Sequence, residues 1–306
     1  MRLLPTACLI AACLIGASLP GVALADSPPD ELVEIRNGAV PQLRADRAYL
    51  LFRIPRPRGA NSIEPLLMRV PTADEIARYE SAREEAYARA LPGLQREFER
   101  ELEREQRRRQ RGQGGDDPPP QPPSLETFQF AWDQAANLQD VDFSDTFSRA
   151  SDENTYLVEA LPGDYVLYGM TPSMGLPRLM VCFCLGTVGF HAPAGQITDL
   201  GYIIGDIARE RSVIPELADE TGYGPSSDVG LGVLLAGTVR PARPGSSMPP
   251  ELAGARVVAG EYHAVGRFLT PNTMGINRLV PVPGVLEYDR GRVIDARTGN
   301  AVPDNM

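Results

Sequence analysis

The stretch that decides the fold is residues 154–204, NTYLVEALPGDYVLYGMTPSMGLPRLMVCFCLGTVGFHAPAGQITDLGYII. It begins with two short runs rich in β-branched and aromatic residues, 155–161 (TYLVEAL) and 165–170 (YVLYGM), separated by PGD at 162–164. Proline fixes φ at the second position of a turn and glycine supplies a positive φ at the third. This part of the stretch therefore predicts a β-hairpin.

The rest of the stretch contains three further strand candidates. Residues 179–185 (LMVCFCL) have no polar face, which predicts a strand covered on both sides by other layers. Residues 187–190 and 197–204 (ITDLGYII) are two further strand candidates, separated by a turn at 192–195 (APAG). Five short strands with a turn signal every eight to twelve residues indicate a β-sandwich or a small barrel.

The composition excludes several classes of function. The chain has 306 residues, of which 43% are hydrophobic, and a formal net charge of -10. An acidic protein gains nothing from approaching a phosphate backbone, so we do not expect nucleic acid as a partner. All 30 basic residues are arginine. Without lysine, the chain cannot perform Schiff-base or P-loop chemistry.

The N-terminus has the layout of a secretory signal. Residues 1–25 combine a positive start at Arg2, an apolar run and small residues at Ala23 and Ala25, which predicts cleavage after Ala25. We therefore expect export to a bacterial periplasm or beyond. A lipid anchor at Cys13 is an alternative, because residues 10–13 (IAAC) resemble a lipobox. No other apolar run approaches the ~20 residues needed to span a bilayer.

An amphipathic helix is predicted over residues 73–112. It starts with the capping box TADE at 72–75, and its apolar residues recur at helical spacing. Pro92 should kink or divide it, and the second half is laced with Glu–Arg pairs. A Gly- and Pro-rich linker follows at 113–124.

Helix and linker together interrupt the strand pattern, so we interpret them as an insertion into one sandwich. The sandwich core is then formed by residues 26–72, whose strands are 48–54 and its candidate partner 64–70, and by residues 125–204. Residues 205–306 form a β-rich C-terminal extension of irregular strands, broken by Pro and Gly. We expect its last residues, 295–306, to be frayed.

The mature chain keeps two cysteines, Cys182 and Cys184. In an oxidising compartment such a pair suggests a disulfide. Residues i and i+2 of an extended strand lie about 6.6 Å apart, however, so the bond requires a bulge or a tight bend. On a regular strand both thiols would instead share one face as small buried hydrophobes. A third alternative is a zinc or copper(I) site formed by Cys182, Cys184 and His191. No fourth ligand is evident, and His263 is far away in sequence.

Catalytic motifs are missing from the sequence. There is no G-x-S-x-G, no H-E-x-x-H, no P-loop and no dinucleotide-binding fingerprint. A pair of carboxylates could serve a hydrolase that cleaves glycosides. The candidates for such a pair are Asp140, Asp142, Asp145, Asp152 and Glu153. With 40 acidic residues in the chain, clusters of this kind also arise as solvated loop charges.

One resemblance rests on LPGDYVLYG at 161–169 and FHAPAGQITDLG at 190–201. These motifs resemble strand and turn signals of uncharacterised bacterial envelope domains with a prealbumin-like or carboxypeptidase-regulatory-like β-sandwich. The resemblance covers about residues 156–201 and implies a binding, anchoring or assembly role. It carries over no site residue and no cofactor.

The sequence thus predicts a mainly β protein, an Ig-like or prealbumin-like sandwich with an inserted helix. We expect a non-catalytic module of the envelope that binds a protein or a glycan. A hydrolase and a Cys/His metal-binding protein are the alternatives.

Overall fold

The computed structural model describes residues 32–38, 42–55, 62–112, 118–132, 137–140, 146–173, 181–204, 237–243, 245–246, 248–268 and 275–304. Within these ranges the chain is mainly β, with one long α-helix inserted among the strands, as expected. The elements are β1 (Val33–Ile35), β2 (Ala48–Pro55), β3 (Ser62–Arg69), α1 (Ala73–Gln110), β4 (Leu138–Asp140), β5 (Ser148–Arg149), β6 (Glu153–Ala160), β7 (Gly163–Ser173), β8 (Val181–Cys182), β9 (Thr187–Ala192), β10 (Ile197–Ile204), β11 (Thr238–Arg240), β12 (Val257–Ala259), β13 (Tyr262–Val265), β14 (Gly275–Ile276), β15 (Leu286–Asp289), β16 (Arg292–Asp295) and β17 (Asn300–Ala301).

Two seven-stranded sheets form the body of the protein. The first sheet has the order β1-β6-β2-β10-β11, with β5 beside β6 and β12 beside β10. The second has the order β13-β9-β7-β3-β4, and β8 and β14 extend it beside β7. The central pair of the first sheet, β2 and β10, is parallel, whereas β2 and β6 are antiparallel along their whole length.

The two sheets enclose one hydrophobic core. Alternate residues of each strand point inward, because side chains on a strand alternate between its faces. Ring stacking contributes on both sides: Phe52 stacks on Tyr156 in the first sheet, and Tyr165 on Phe190 in the second, at centroid distances of 5.4 and 5.6 Å. The buried residues contributed by the strands include Leu50, Phe52, Leu67, Tyr156, Val158, Tyr165, Leu167, Val188, Phe190, Leu200 and Tyr262.

Strands β6 and β7 lie in opposite sheets, and the predicted hairpin at 162–164 is therefore wrong. The chain passes from the first sheet to the second between β6 and β7, and back again between β9 and β10. It also crosses between β2 and β3, so these two strands are not partners. A strand-turn-strand pattern with alternating apolar residues fits two strands in opposite sheets as well as it fits a hairpin. Only the hydrogen-bonded neighbours of the two strands distinguish these arrangements.

The described part of the apolar run 179–185 is also not a regular strand. Within residues 181–185 only Val181–Cys182 is extended, as β8, and the chain then turns through Cys184, Leu185 and Gly186. Gly186 has φ +138°, and a Cβ there would collide with Val293 and Tyr288. The described part of the run is apolar because it is covered on both sides: Phe183 lies in the main core, and Cys182 and Cys184 pack in a separate cluster.

The described part of the C-terminal third, from residue 237 on, is part of the sandwich rather than an extension of it. Strands β11 and β12 both pair with β10, and β13 pairs with β9. Strands β15, β16 and β17 form a small third sheet, and Val293 from it is buried in the main core. The expected fraying of residues 295–306 is wrong for the part described, because Asp304 binds Arg267 with an N–O distance of 2.5 Å.

The helix α1 agrees closely with its prediction of 73–112. The capping box is present, with the Thr72 side chain accepting from the Glu75 amide. The helix is not divided at Pro92. Proline has no amide hydrogen, so the carbonyl group four residues earlier loses its intrahelical partner. Because Pro92 is exposed, water can reach that carbonyl group instead. In the described part of the chain, no helix has the length and apolar character required to cross a membrane.

Candidate functional site

Helix α1 is fixed to the body at its first turn. Arg69, the last residue of β3, forms two hydrogen bonds to the Glu75 carboxylate, at 3.1 and 2.5 Å. Only 5% of the Arg69 side chain and 13% of the Glu75 side chain are exposed. The Arg69 guanidinium is the main cause that lowers the pKa of Glu75 from 4.5 to about 2, and hydrogen bonds from Thr72 lower it further. The ion pair therefore stays formed in mildly acidic solution.

Beyond this first turn the helix leaves the body. Its 38 residues make it about 57 Å long at 1.5 Å per residue, and none of them is buried. None of the described strands packs along it. An isolated helix of this kind gains little from tertiary burial, so it needs a partner along one side to be held in place.

That partner is the chain that follows the helix, residues 118–132, which we call the return segment. Arg83 donates to the carbonyl oxygens of Leu125, Glu126 and Phe128, the last two at 3.1 and 3.2 Å. The hydroxyl of Tyr87 donates to the carbonyl oxygen of Pro123 at 3.0 Å. These bonds satisfy backbone acceptors that no strand or helix of the segment would otherwise use.

Aromatic rings fill the space between helix and return segment. Tyr79 contacts Phe130 and Trp132, both at 5.8 Å between ring centroids, and Tyr87 contacts Phe128 at 5.4 Å. These distances are typical of favourable aromatic pairs. The chain's single tryptophan thus belongs to the helical insertion and not to a face of the sandwich.

The return segment begins with the proline run 118–123 (PPPQPP). Its exposure has a period of three: Pro120 and Pro123 are half-buried, and the other four residues are exposed. Three residues per turn is the period of a polyproline II helix. We call helix α1 and the return segment together the arm.

The two ends of the arm meet at one place in the second sheet. Strands β3 and β4 are antiparallel neighbours, with Met68 opposite Leu138. The amide of Arg69 donates to the carbonyl oxygen of Asn137 at 2.8 Å. The arm is therefore an insertion whose removal would leave two adjacent strands ready to be joined by a short turn.

The far half of the arm carries an apolar stripe bordered by charge. Leu91, Leu94, Phe98 and Leu102 are half-buried and share one side of the helix. Beyond the stripe lie two ion pairs whose arginines are exposed, Glu103–Arg107 and Glu105–Arg109. Pairs of this type contribute only a few tenths of a kcal/mol, about 0.3–0.5 each.

The predicted metal ligands do not assemble. Cys182 and Cys184 form a disulfide, with Cα atoms 5.2 Å apart, and both are buried. His191 lies on β9, where its Nδ1 is 2.7 Å from Asp164 Oδ1. Among the described residues, no group of three or more His, Cys, Asp or Glu side chains is placed to hold a metal ion.

His263 lies beside the exposed His191–Asp164 pair. Its ring covers Gly189, where a Cβ would come within 2.7 Å of His263 Nε2. Burial lowers the pKa of His263, Asp164 and Asp295 act in the opposite direction, and Arg297 adds to the lowering. Because the side chains of His191 and Asp164 are 64% and 62% exposed, this group lacks the water-excluded geometry of a catalytic dyad.

The predicted acidic candidates are spread along the chain. Asp152 is exposed and accepts a hydrogen bond from Ser151 at 2.7 Å, and Glu153 begins β6. Asp140 ends β4. Asp142 and Asp145 lie outside the described residues, as do the predicted leader 1–25 and Cys13.

The sequence reasoning missed the residues that organise the arm, Arg69, Arg83 and Tyr87. A capping box indicates where a helix begins but not which cation binds its glutamate. The aromatic residues at 128, 130 and 132 alternate as in a strand, which concealed their contact with the helix.

Fold and site together define a β-sandwich protein that carries a helical arm. No protein-family model, curated protein or solved structure matches the chain.

Proposed function

We propose that this chain is a non-catalytic module of the bacterial envelope, in which the sandwich holds out the arm to bind a partner protein. One observation carries this proposal: α1 has no buried residue, yet it is attached at its base and along one side. A sandwich does not need such an insertion for its own core. A stiff element held away from the body suits contact with another molecule.

Export is a second part of the proposal. It rests on the leader-like residues 1–25 and on the disulfide Cys182–Cys184, because disulfides persist mainly in oxidising compartments. N-terminal sequencing of the protein recovered from periplasmic and membrane fractions tests both the export and the cleavage after Ala25. A mature chain that keeps the leader, or one found only in the cytoplasm, would contradict it.

The arm hypothesis is tested by deleting the arm at the point where its ends meet. An armless variant joins Arg69 to Asn137, which lie opposite each other, through an Asn-Gly turn that suits a hairpin between β3 and β4. We expect this variant to keep the melting behaviour of the sandwich. A photo-crosslinker at Arg100, on the exposed far half, should give a specific adduct in intact cells, whereas one at the exposed Arg290 should not.

The result also separates protein from glycan partners. Binding to purified cell-wall glycan that the armless variant retains would favour the glycan alternative and a site on the sandwich. A crosslinked protein that the armless variant still binds with the same affinity would refute the proposed role of the arm.

A further inference from the structure

The disulfide between Cys182 and Cys184 lies where the C-terminal chain joins the second sheet. Cys182 ends β8, and Cys184 lies in the turn that follows. Phe183 between them is fully buried, and its amide donates to the carbonyl oxygen of Tyr168 on β7 at 2.7 Å. The bend thus brings the two Cα atoms to 5.2 Å, closer than the roughly 6.6 Å of two residues on a straight strand.

The backbone on both sides of this bend receives the C-terminal chain. The amide of Asn277 donates to the carbonyl oxygen of Cys182 at 2.8 Å, and the amide of Phe268 to that of Cys184 at 3.0 Å. In return, the amide of Leu185 donates to the carbonyl oxygen of Asn277 at 3.0 Å. Three hydrogen bonds that join the cysteine bend to Phe268 and Asn277 therefore depend on the path of the backbone from 182 to 185.

The side chains of the bend also contact the C-terminal chain. Both cysteines pack with Leu66 and Tyr168 on the outer face of the second sheet. Phe268 packs against this cluster, with its ring 5.6 Å from that of Tyr168. With the C-terminal chain in place, Cys182 is 0% exposed and Cys184 is 3% exposed.

The burial of Cys182 and Cys184 limits when their disulfide can form. A thiol must be a thiolate and must be reached by the oxidant to react, and neither condition is met by a sulfur in an apolar, covered site. We propose that Cys182 and Cys184 are a site of oxidative modification, joined before Phe268 and Asn277 dock, and that the bond sets the bend on which they dock.

The oxidant is a disulfide, either of a thiol-oxidising protein or of a small molecule. One cysteine thiolate attacks it and forms a mixed disulfide, releasing one thiol of the oxidant. The second cysteine thiolate then attacks the sulfur of the first and releases the other thiol. The chain loses two electrons and two protons, and the oxidant disulfide gains them and becomes two thiol groups. Closure between residues this near in sequence needs no long-range contact, so it can precede folding of the C-terminal third.

Refolding of the full mature chain tests the proposal. Reduced, unfolded protein is diluted into buffer with or without oxidised glutathione, and samples taken over time are alkylated and analysed for amide protection at Phe268 and Asn277. We expect alkylatable thiols to disappear before these amides become protected. Without the oxidant, their protection should stay at least about tenfold lower than in the native protein. The amides of Leu50 and Val158 in the first sheet report whether the rest of the sandwich has folded.

Two variants extend the test. Cys182→Ser with Cys184→Ser, and Cys182→Ala with Cys184→Ala, should both reproduce the loss of protection at Phe268 and Asn277. Any population of wild-type molecules with protected amides and free thiols overturns the proposal, and this result does not require the variants to fold. Free thiols in the native protein, detected after unfolding in alkylating agent, overturn it as well.

Discussion

Arg53 and Asp199 form a bidentate ion pair in the first sheet, at 2.9 and 3.2 Å, and their side chains are only 1% and 4% exposed. The pair joins the parallel strands β2 and β10 across their register shift, because Asp199 lies opposite Leu51 and Arg53 lies opposite Tyr202. Asp199 also accepts from the amide of Gly201 at 2.9 Å, and Arg53 lies over the ring of Tyr202 at 5.8 Å. These contacts compensate for the desolvation of the two buried charges, those of Arg53 and Asp199.

Removing one member of this pair should be costly. Arg53→Met or Asp199→Leu leaves an uncompensated buried charge, so we expect each to lower the free energy of unfolding by about 3–5 kcal/mol. The double variant should cost less than the sum of the two. Urea denaturation of all four proteins measures the coupling. The exposed pair Arg292–Asp289 is the control, and breaking it should change stability by less than about 1 kcal/mol. Additive costs at Arg53 and Asp199 would contradict this reading.

The attachment of the arm should depend on pH. The pKa of Glu75 is lowered from 4.5 to about 2 in the folded protein, so its ion pair stabilises the first turn fully above pH 4.5. This stabilisation is lost as the pH falls through the folded pKa near 2. Glu75→Gln should therefore weaken the turn by about 1.5–3 kcal/mol at pH 7 and by almost nothing near pH 2.

Hydrogen exchange at the amide of Ile76, which donates to the Thr72 carbonyl oxygen at 3.0 Å, reports this local opening. Glu80→Gln, one turn further along the exposed helix, is the matched control. A difference between wild type and Glu75→Gln that does not change between pH 7 and pH 2 would show that the carboxylate charge is not responsible.

Arg83 should hold the return segment against the helix. Arg83→Leu removes the donor to three backbone carbonyl groups, and we expect residues 118–132 to become at least about tenfold more sensitive to limited proteolysis. Arg89→Leu, at an exposed position of the same helix, should leave the cleavage rate unchanged. Equal cleavage of both variants would mean that the aromatic contacts alone hold the segment.

Gly169 should be intolerant of any side chain. Strand β7 passes so close to β8 that a Cβ at this position would overlap the carbonyl oxygen of Val181. We expect Gly169→Ala to lower the stability by about 3 kcal/mol or more, because the obstacle is backbone and cannot rotate away. Gly93→Ala provides the contrast. No atom lies within 4 Å of its Cβ, and it should stabilise the exposed helix by about 0.5–1 kcal/mol. Thermal denaturation compares the two.

The capping box at 72–75 and the 3.6-residue spacing of the following apolar residues predicted α1 almost to its last residue. These signals are local, since they depend on contacts within one or two turns of the same helix. Alternation likewise predicted β2, β6, β7, β9 and β10 within one to three residues. Extended backbone with one buried face leaves this signature whatever the strand pairs with.

Strand pairing and side-chain partners were decided only by tertiary structure. Nothing within residues 154–170 distinguishes a hairpin from a crossing between sheets, because both bury the same alternate residues. The same is true of Arg53 and Asp199, which are 146 residues apart, and of Arg83 with its carbonyl partners in the return segment. The spacing of apolar residues predicts which residues are buried. Which residues they contact is determined only by the folded chain.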